Sequence, residues 1–364
     1  MNAFNLSLLC YPYHASKHTG RGHDRYIAEL VDNITSECKG VTLDVVDRGF
    51  SKRLIDGLAK LPLQVFDLLK RDADVYHATS SVAAASALLL GKGPVIAMIH
   101  DVIPFNVSGY DSSLKYRLWR QCIKLCVHRA AGLIVPYQIT KDWLVANLKA
   151  DPAKVHVVNY GVDHATYFPR PEMKRAARSI LYVGEVSRSK GVEVLIRAFA
   201  EVKRQLPDAE LLIAGKRSLD QPFLETLSTE LGLRDLSFKG FIAESALADH
   251  YAQATVMVFP SNCGFGLSTL EAMACGTPVV AVAALDAPEF FADAGILSEP
   301  DNVPELASSL VRVLTQPDLQ RDLAQRSLAR AALFSWARTA RETVAVCAKV
   351  ARHAPHSVSA SQAG

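Results

Sequence analysis

Short apolar runs alternate with amphipathic stretches along almost the whole chain. The runs are rich in Val, Ile and Leu, and apolar residues occupy mostly consecutive rather than alternate positions. This pattern is typical of parallel strands covered on both faces. A first series comprises LSLLCY, VTLDVV, DVYHAT, PVIAMIH, GLIVPY and KVHVV. A second series comprises SILYVG, AELLIAG, LSFKGF, VMVFP and PVVAV. Helical periodicity lies between most of these runs, and this alternation predicts doubly wound α/β sheets.

The pattern breaks once and then restarts. The break carries two prolines and a charge cluster within YFPRPEMKRAA, which predicts a linker at residues 167–178. We therefore expect two Rossmann-like domains with doubly wound parallel sheets, at 1–166 and 179–334, that face a central cleft where ligands bind. A last helical pattern at 335–351 is long enough to cross back to the first domain. The small, polar tail at 352–364 is predicted to be disordered.

Composition narrows the class of protein. The 364 residues are 49% apolar, which is enough for a core in each of two domains, and the net charge of +3 gives no sign of a nucleic-acid partner. No apolar run reaches the ~18 residues of a transmembrane helix, and the start MNAFNLSLLCYPYH lacks the features of a signal peptide. The seven cysteines contain no CxxC pair, which favours free thiols in a reducing cytosol. We expect a cytoplasmic protein.

The segment Ser261–Val280, SNCGFGLSTLEAMACGTPVV, has the strongest functional pattern. An apolar strand runs into a glycine-bearing turn, and a helix is predicted from near Leu267 to Gly276. Such a turn aims backbone N–H groups and a helix N-terminus at one point, which predicts an anion site. Glu271 lies among small and apolar residues of this helix, where a carboxylate is costly unless it accepts hydrogen bonds. A phosphate with a hydroxylated group beside it is the predicted ligand, whereas an ordinary strand-to-helix connection would explain only the glycines.

A second polar loop follows the strand SILYVG. It places Arg188 and Lys190 at the mouth of a helix predicted to start near Lys190, where cations oppose the helix dipole unless they face an anion. His100 and Asp101 follow another strand, in IHDVIPF. A histidine at a strand end is often structural, but here it could accept a hydroxyl proton or a hydrogen bond from a sugar near neutral pH.

Two further segments leave alternatives open. The sequence HTGRGHDRYIAEL holds Gly20 and Gly22, which would let the backbone approach a ligand closely. It is not GxGxxG, and Asp47 is only a weak candidate for the acidic partner, so a dinucleotide oxidoreductase is disfavoured. The stretch 115–130, KYRLWRQCIKLCVHRA, is basic and amphipathic, as expected of a surface helix or of a helix that meets an anionic membrane. No metal site stands out.

Together these segments resemble the retaining nucleotide-sugar glycosyltransferases of family 4, which have the GT-B fold. The resemblance covers nearly the whole chain and is strongest over 179–300. It rests there on SILYVGEVSRSKGVEVLIRAFAEV, AELLIAGK, LSFKGFIAESALADHYAQATVMVFPS and LDAPEFFADAGILSEPDNVPELASSL, in that order. In the first domain, HDVIP and KVHVVNYGVDHATYFP resemble a branch that contains many mannosyltransferases of surface-polysaccharide assembly.

The resemblance implies roles for particular residues. Lys190 and Arg188 would hold the donor diphosphate, Glu271 the donor ribose, and His100 would lie near the reacting sugar. The remaining donor-binding residues that it implies are Gly184, Lys216, Gly240, Phe241, Ile242, Cys263, Gly264, Phe265, Gly266, Leu267 and Ser268. The phosphate and acceptor side would be formed by Gly20, Arg21, Gly22 and Asp101.

Two positions depart from the family pattern. The family has two glutamates eight residues apart, and Cys263 occupies the first of these positions. Glu185 stands where an arginine is frequent after the strand-end glycine, which shifts the expected phosphate binding toward Arg188 and Lys190.

The resemblance also implies a reaction. A hexose would be transferred with retention from GDP-mannose, or alternatively from a UDP-sugar carrying glucose or GlcNAc. The acceptor would be a saccharide or a polyprenyl-diphosphate-linked oligosaccharide, with peripheral contact at the cytoplasmic face of the membrane. No cofactor or metal would be required, because cations and helix dipoles neutralise the leaving diphosphate. A non-catalytic GT-B partner subunit is the alternative from a different class.

Overall fold

The computed structural model describes residues 3–10, 22–46, 68–106, 114–262 and 266–353. Within these ranges the chain divides into two compact units. The first contains residues 3–10, His23–Asn159 and the described chain from Ala337 onward, and the second contains Gly22 and Tyr160–Trp336. The predicted tail at 352–364 lies almost entirely outside the described residues.

The first unit is built on a six-stranded sheet in which every pair of neighbouring strands is parallel. The strand order is β2-β1-β3-β4-β5-β6. Its elements are β1 (Phe4–Leu9), α1 (Gly22–Glu37), β2 (Val41–Val46), β3 (Val75–Ala78), α2 (Ser81–Leu89), β4 (Val95–Met98), α3 (Ile103–Asn106), α4 (Leu114–Arg129), β5 (Gly132–Val135), α5 (Gln138–Leu148) and β6 (Val155–Val157). All residues of β3, β4 and β5 are buried, as the continuous apolar runs predict.

The second unit repeats this architecture with the strand order β12-β11-β10-β7-β8-β9, again parallel throughout. Its elements are β7 (Ser179–Val183), α6 (Val192–Gln205), β8 (Glu210–Ala214), α7 (Gln221–Glu230), β9 (Leu236–Gly240), α8 (Glu244–Gln253), β10 (Val256–Phe259), α9 (Leu267–Ala274), β11 (Val279–Val282), α10 (Ala287–Phe291), β12 (Ile296–Ser298), α11 (Val303–Thr315) and α12 (Pro317–Ala331). The predicted strands are confirmed. The edge strand β12 was not predicted, because a three-residue run is too short to show a periodicity.

The last helix, α13 (Trp336–His353), groups with the first unit from Ala337 onward. Thr339 donates a hydrogen bond from Oγ1 to the backbone oxygen of Asn159 at 2.8 Å, and Arg341 pairs with Glu37 at 2.9 Å. The chain therefore returns to the first unit after completing the second. No helix in the described part of the chain is both long and apolar enough to cross a bilayer.

The strand order of each sheet determines where a crevice forms at its carboxyl edge. In the second unit the chain moves from β7 through β8 to β9 on one side and then resumes at β10 on the other. The loops after β7 and β10 therefore leave in opposite directions, which creates a crevice at the carboxyl ends of these two strands. The equivalent point in the first unit lies between β1 and β3, with β4 as the next strand.

Candidate functional site

The loop after β7 reaches the crevice of the second unit through a glycine. The helix predicted to start near Lys190 is α6, which begins at Val192 after one 3-10 turn at Arg188–Lys190. Gly191 between them has φ +74°, and a Cβ there would lie 2.0 Å from the backbone oxygen of Pro260. Only glycine allows this approach, which sets Lys190 next to the residue that follows β10.

The backbones at the ends of β7, β8 and β9 also lie close together. Gly215 has φ +146°, and a Cβ there would lie 1.6 Å from the backbone oxygen of Gly184. Gly215 also donates from its backbone N–H to the oxygen of Gly240 at 2.8 Å. The structure therefore brings together the three strand ends that carry the predicted donor residues Gly184, Lys216 and Gly240. Lys216 and Phe241 are exposed there, and the Phe241 side chain is 60% exposed.

Arg188 is already engaged within the protein. Its Nε donates to Glu193 Oε2 at 2.8 Å, and its guanidinium lies 5.0 Å from the ring centroid of Phe223. Glu193 also accepts from Arg197 at 2.9 Å. Burial by itself would raise the pKa of Glu193, but hydrogen bonds from Arg197 and Arg188 bring that pKa below its ordinary value. The charge of Arg188 is thus compensated by a carboxylate, which weakens its assignment to the phosphate.

Lys190 differs from Arg188 in this respect. Its side chain is half-buried, and among the described residues no carboxylate lies within ion-pair distance of its ammonium group. Lys190 directly precedes Gly191 and therefore lies beside the crevice. Lys190 is therefore the better placed of the two predicted phosphate ligands.

Helix α9 begins at the crevice with no side-chain cap. Gly266 is its N-cap residue and, as it has no side chain, it gives the first backbone N–H groups of the helix no side-chain cap. Leu267 and Ser268 form the half-buried first positions. An uncapped N-terminus offers donors and a partial positive charge to an anion. Three predicted donor residues, Cys263, Gly264 and Phe265, lie outside the described residues.

Glu271 lies in the second turn of α9 and is 5% exposed. Tyr251, on α8, is fully buried and donates a hydrogen bond from its hydroxyl to Glu271 Oε2 at 2.9 Å. The sequence predicts that this carboxylate needs hydrogen-bond donors, and the protein itself supplies one of them through Tyr251. One donor does not exhaust a carboxylate, which accepts about four hydrogen bonds. Sequence reasoning missed Tyr251, because a tyrosine 20 residues away has no local signal that connects it to Glu271.

His100 follows β4 in the first unit. Its Nε2 lies 2.8 Å from the backbone oxygen of Thr79, and since a carbonyl only accepts, Nε2 carries the proton and Nδ1 is the acceptor. The rings of His23 and Tyr26 lie edge-on at 4.4 and 5.2 Å from the His100 ring. Burial lowers the pKa of His100 well below its ordinary value, and the charge of His23 acts in the same direction. The His100 imidazole is therefore neutral at neutral pH.

The residues predicted to form the phosphate and acceptor side give less evidence of a ligand site. Asp101 accepts a hydrogen bond at Oδ1 from the backbone N–H of Ile103 at 3.0 Å, which forms the turn into α3 and is a structural role. Gly22 is the first residue of α1. Gly20 and Arg21 lie outside the described residues. His23, in the same GRGHDR segment, was missed because sequence spacing gave no reason to place it against His100.

Helix α4 carries the basic amphipathic stretch. Ile123 and Val127 are buried, whereas Leu114 and Leu118 are 68% and 58% exposed. The helix contains no Asp or Glu and carries Arg117 on its exposed side. Within the described ranges, no group of three or more His, Cys, Asp or Glu side chains could hold a metal ion, and the six described cysteines are free thiols.

Two protein-family models match the chain, one in each half. Residues 16–166 match the model described as Glycosyltransferase Family 4, and residues 177–316 match the model described as Glycosyl transferases group 1.

Curated relatives match over a shorter span. The D-inositol 3-phosphate glycosyltransferase of Frankia alni is 37% identical over 53% of this chain and 52% of the relative. The protein of the same name from Corynebacterium kroppenstedtii is 32% identical over 65% of this chain and 57% of the relative. The chain thus spans about half the length of the curated relatives it matches.

Solved structures match over almost the entire chain. Sucrose-phosphate synthase from Thermosynechococcus elongatus superposes with a TM-score of 0.80 at 21% identity, covering 96% of this chain and 100% of that one. Anabaena HepE in complex with UDP and glucose gives 0.75 at 19% identity, covering 95% and 100%. WaaG, a glycosyltransferase involved in lipopolysaccharide biosynthesis, gives 0.74 at 17% identity, covering 94% and 99%. At these identities the likeness concerns the fold.

Proposed function

We propose that this chain, whose two halves match glycosyltransferase models and whose fold is of the GT-B type, is a family 4 glycosyltransferase. It transfers a hexose from a nucleotide-diphosphate sugar to a hydroxyl of an acceptor. One observation carries the proposal. In the second unit, Lys190 and the uncapped start of α9 lie at the crevice between β7 and β10, and the same short helix carries the buried carboxylate of Glu271. A cation and helix N–H groups suit a diphosphate, and a carboxylate suits the ribose hydroxyls.

In the proposed reaction, groups of the protein neutralise the negative charge of the leaving diphosphate. The bond between the anomeric carbon and the diphosphate oxygen breaks as the acceptor hydroxyl attacks on the same face, and the departing phosphate oxygen takes the hydroxyl proton. Lys190 and the α9 dipole stabilise the negative charge that develops on the diphosphate. A covalent intermediate on a carboxylate at position 263 is not part of the proposal, because that residue is a cysteine. The configuration at the anomeric carbon is retained.

His100 is proposed to hold a sugar hydroxyl in the first unit. Its imidazole is neutral, Nε2–H donates a hydrogen bond to the Thr79 backbone oxygen, and Nδ1 is the atom that would accept from the sugar. A neutral acceptor binds a hydroxyl without repelling or attracting a charged diphosphate.

Two donors remain in the proposal. The HDVIP resemblance favours GDP-mannose, as expected from the sequence. A UDP-hexose is the second candidate, because the structural neighbour HepE was solved with UDP and glucose. Phe241, exposed at the end of β9, would border either base.

We also propose a peripheral membrane contact through α4. Exposed Leu114 and Leu118 would enter the interface while basic side chains meet anionic headgroups, which suits a polyprenyl-diphosphate-linked acceptor. Flotation with vesicles containing anionic lipid tests this contact. The wild type should float, and a Leu114→Ser/Leu118→Ser variant should stay in solution. Equal behaviour of the two proteins would remove α4 from the proposal.

The central test is release of nucleotide from GDP-mannose, UDP-glucose and UDP-GlcNAc, each assayed with Mg²⁺ and then with EDTA. Acceptors in the screen include polyprenyl-linked saccharides and D-inositol 3-phosphate, the compound in the relatives' names. One donor should turn over, and EDTA should leave its rate within about twofold, because protein groups neutralise the leaving phosphate. Complete loss with EDTA would contradict the metal-free reaction. Absence of calorimetric binding to every donor would instead support a non-catalytic partner subunit.

A further inference from the structure

The hydrogen bond between Tyr251 and Glu271 joins two helices at the donor side of the second unit. Tyr251 Oη donates to Glu271 Oε2 at 2.9 Å, the tyrosine is fully buried, and the carboxylate is 5% exposed. A carboxylate on a short helix has rotamer freedom, and the buried Tyr251 hydroxyl that donates to one of its oxygens restricts it. The second oxygen is then held in a defined direction.

We propose that Tyr251 is a positioning residue, which acts through Glu271 to orient its carboxylate toward the ribose hydroxyls of the donor. This inference rests on the proposed function, since it takes Glu271 as the ribose ligand. Tyr251 itself touches neither sugar nor phosphate in this assignment. Its hydroxyl sets the geometry with which Glu271 accepts hydrogen bonds.

The surroundings hold Tyr251 in place independently of its hydroxyl. Thr277 donates from Oγ1 to the backbone oxygen of Tyr251 at 2.7 Å, and the ring of Tyr167 packs edge-on at 6.0 Å. Arg175 donates to the backbone oxygens of Ala254 at 2.7 Å and Gly276 at 2.6 Å, which lie beyond the ends of α8 and α9. Helices α8 and α9 are therefore tied together without the phenol. Removal of the hydroxyl should leave their packing intact while the carboxylate loses the restraint that Tyr251 places on it.

A purely structural role for the bond is the competing explanation. In that case the phenol only attaches α8 to α9, and its loss lowers thermal stability without a specific effect on the ribose. A positioning role predicts instead that the effect depends on Glu271 and on the ribose hydroxyls. These two dependences separate the explanations.

The test compares wild type, Tyr251→Phe, Glu271→Gln and the double variant by calorimetry. The probes are UDP and GDP, and the nucleotide that the wild type binds is compared with its 2′-deoxy form. Tyr251→Phe should weaken binding of the ribonucleotide about tenfold, as expected for loss of a hydrogen bond that orients a charged group. In the Glu271→Gln background the same change should weaken binding by less than about twofold, since the residue through which it acts is already altered.

The 2′-deoxy probe gives a readout that lower stability does not move. The wild type should prefer the ribonucleotide about tenfold, and Tyr251→Phe should reduce that preference to about twofold. Tyr76→Phe is the matched control, because Tyr76 is equally buried and donates to the backbone oxygen of Arg71 at 2.7 Å in the first unit. It should lower the melting temperature and leave both binding constants unchanged.

The results that overturn the proposal are distinct. Wild-type affinity and ribose preference in Tyr251→Phe would show a structural bond only, as would equal weakening in both Glu271 backgrounds. If the wild type binds the ribonucleotide but Glu271→Gln does not alter its affinity, the assignment of Glu271 and this inference both fail while nucleotide binding stands. If the wild type binds neither UDP nor GDP, the proposed function itself fails.

Discussion

The two units share a parallel sheet of six strands, but their crevices carry different electrostatics. In the second unit the strand ends meet the cation of Lys190 and the buried carboxylate of Glu271. In the first unit the corresponding edge carries His100, whose imidazole is kept neutral by burial against His23. The same fold therefore offers a cation and a buried carboxylate in one unit, and a neutral imidazole beside the carboxylate of Asp101 in the other. This difference matches the needs of a diphosphate and of a sugar hydroxyl.

The largest effect is expected for Lys190→Ala, which removes the cation of the charged crevice. Loss of a charge-assisted contact to the leaving diphosphate should cost about 2–4 kcal/mol of transition-state stabilisation, so turnover should fall by about 30-fold to 900-fold. Steady-state rates of nucleotide release measure this loss. Arg321→Ala is the control, because it removes an exposed cation paired with Asp318. Near-normal turnover in Lys190→Ala would remove Lys190 from the site.

The neutral state of the buried histidines in the first unit can be tested through His77, a residue of β3. Burial lowers its pKa to about 4, and the neighbouring His100 adds to the shift. The unfolded chain therefore binds more protons than the folded chain between pH 6.5 and 4, so stability is complete above pH 6.5 and is lost as pH falls. From pH 7.5 to 5 this loss should be about 2 kcal/mol.

Comparison of the wild type with His77→Leu isolates the contribution of His77. Carboxylates also change stability with pH, but they do so equally in the wild type and in the variant. The free energy of opening, measured by hydrogen exchange at β3, should depend less on pH in the variant by about 2 kcal/mol. The β7 amides of the second unit serve as the internal control. Parallel pH profiles for the two proteins at β3 would show that His77 does not carry the shift.

A smaller effect is expected for Glu271→Gln. The amide keeps the shape of the side chain but weakens its acceptance of ribose hydroxyls, so the donor KM should rise about tenfold while kcat changes little. Initial-rate kinetics at varied donor concentration separate the two constants. A fall in kcat at unchanged KM would place Glu271 at the reacting centre instead.

The smallest effect is expected for Arg188→Ala, because Glu193 already compensates the guanidinium. Turnover should fall only about threefold, well short of the loss in Lys190→Ala. The same nucleotide-release assay compares them, with Arg197→Ala as the control that also releases Glu193. A loss equal to that of Lys190→Ala would show that Arg188 exchanges Glu193 for the phosphate during the reaction.

Much of the fold could be predicted from local pattern. The continuous apolar runs predicted the buried strands, because a parallel sheet covered on both faces demands apolar residues at consecutive positions. Helix α9 was predicted within two residues at its end, since Gly276 with φ +71° stops it. The start of α6 was also predicted within two residues. The offset arises because nothing in the sequence distinguishes a 3-10 turn at Arg188–Lys190 from the first turn of a helix.

Local sequence was enough to predict two doubly wound units, the glycine turn before α9, and the candidate roles of Lys190 and Glu271. These features depend on neighbours in the chain, through backbone sterics, periodicity and helix ends. The folded arrangement was needed to find that Arg188 pairs with Glu193, that His23 packs on His100, and that Tyr251 donates to Glu271. Those contacts join elements that are distant in sequence or compete for one partner. They therefore depend on how the sheets and helices pack, which local pattern does not specify.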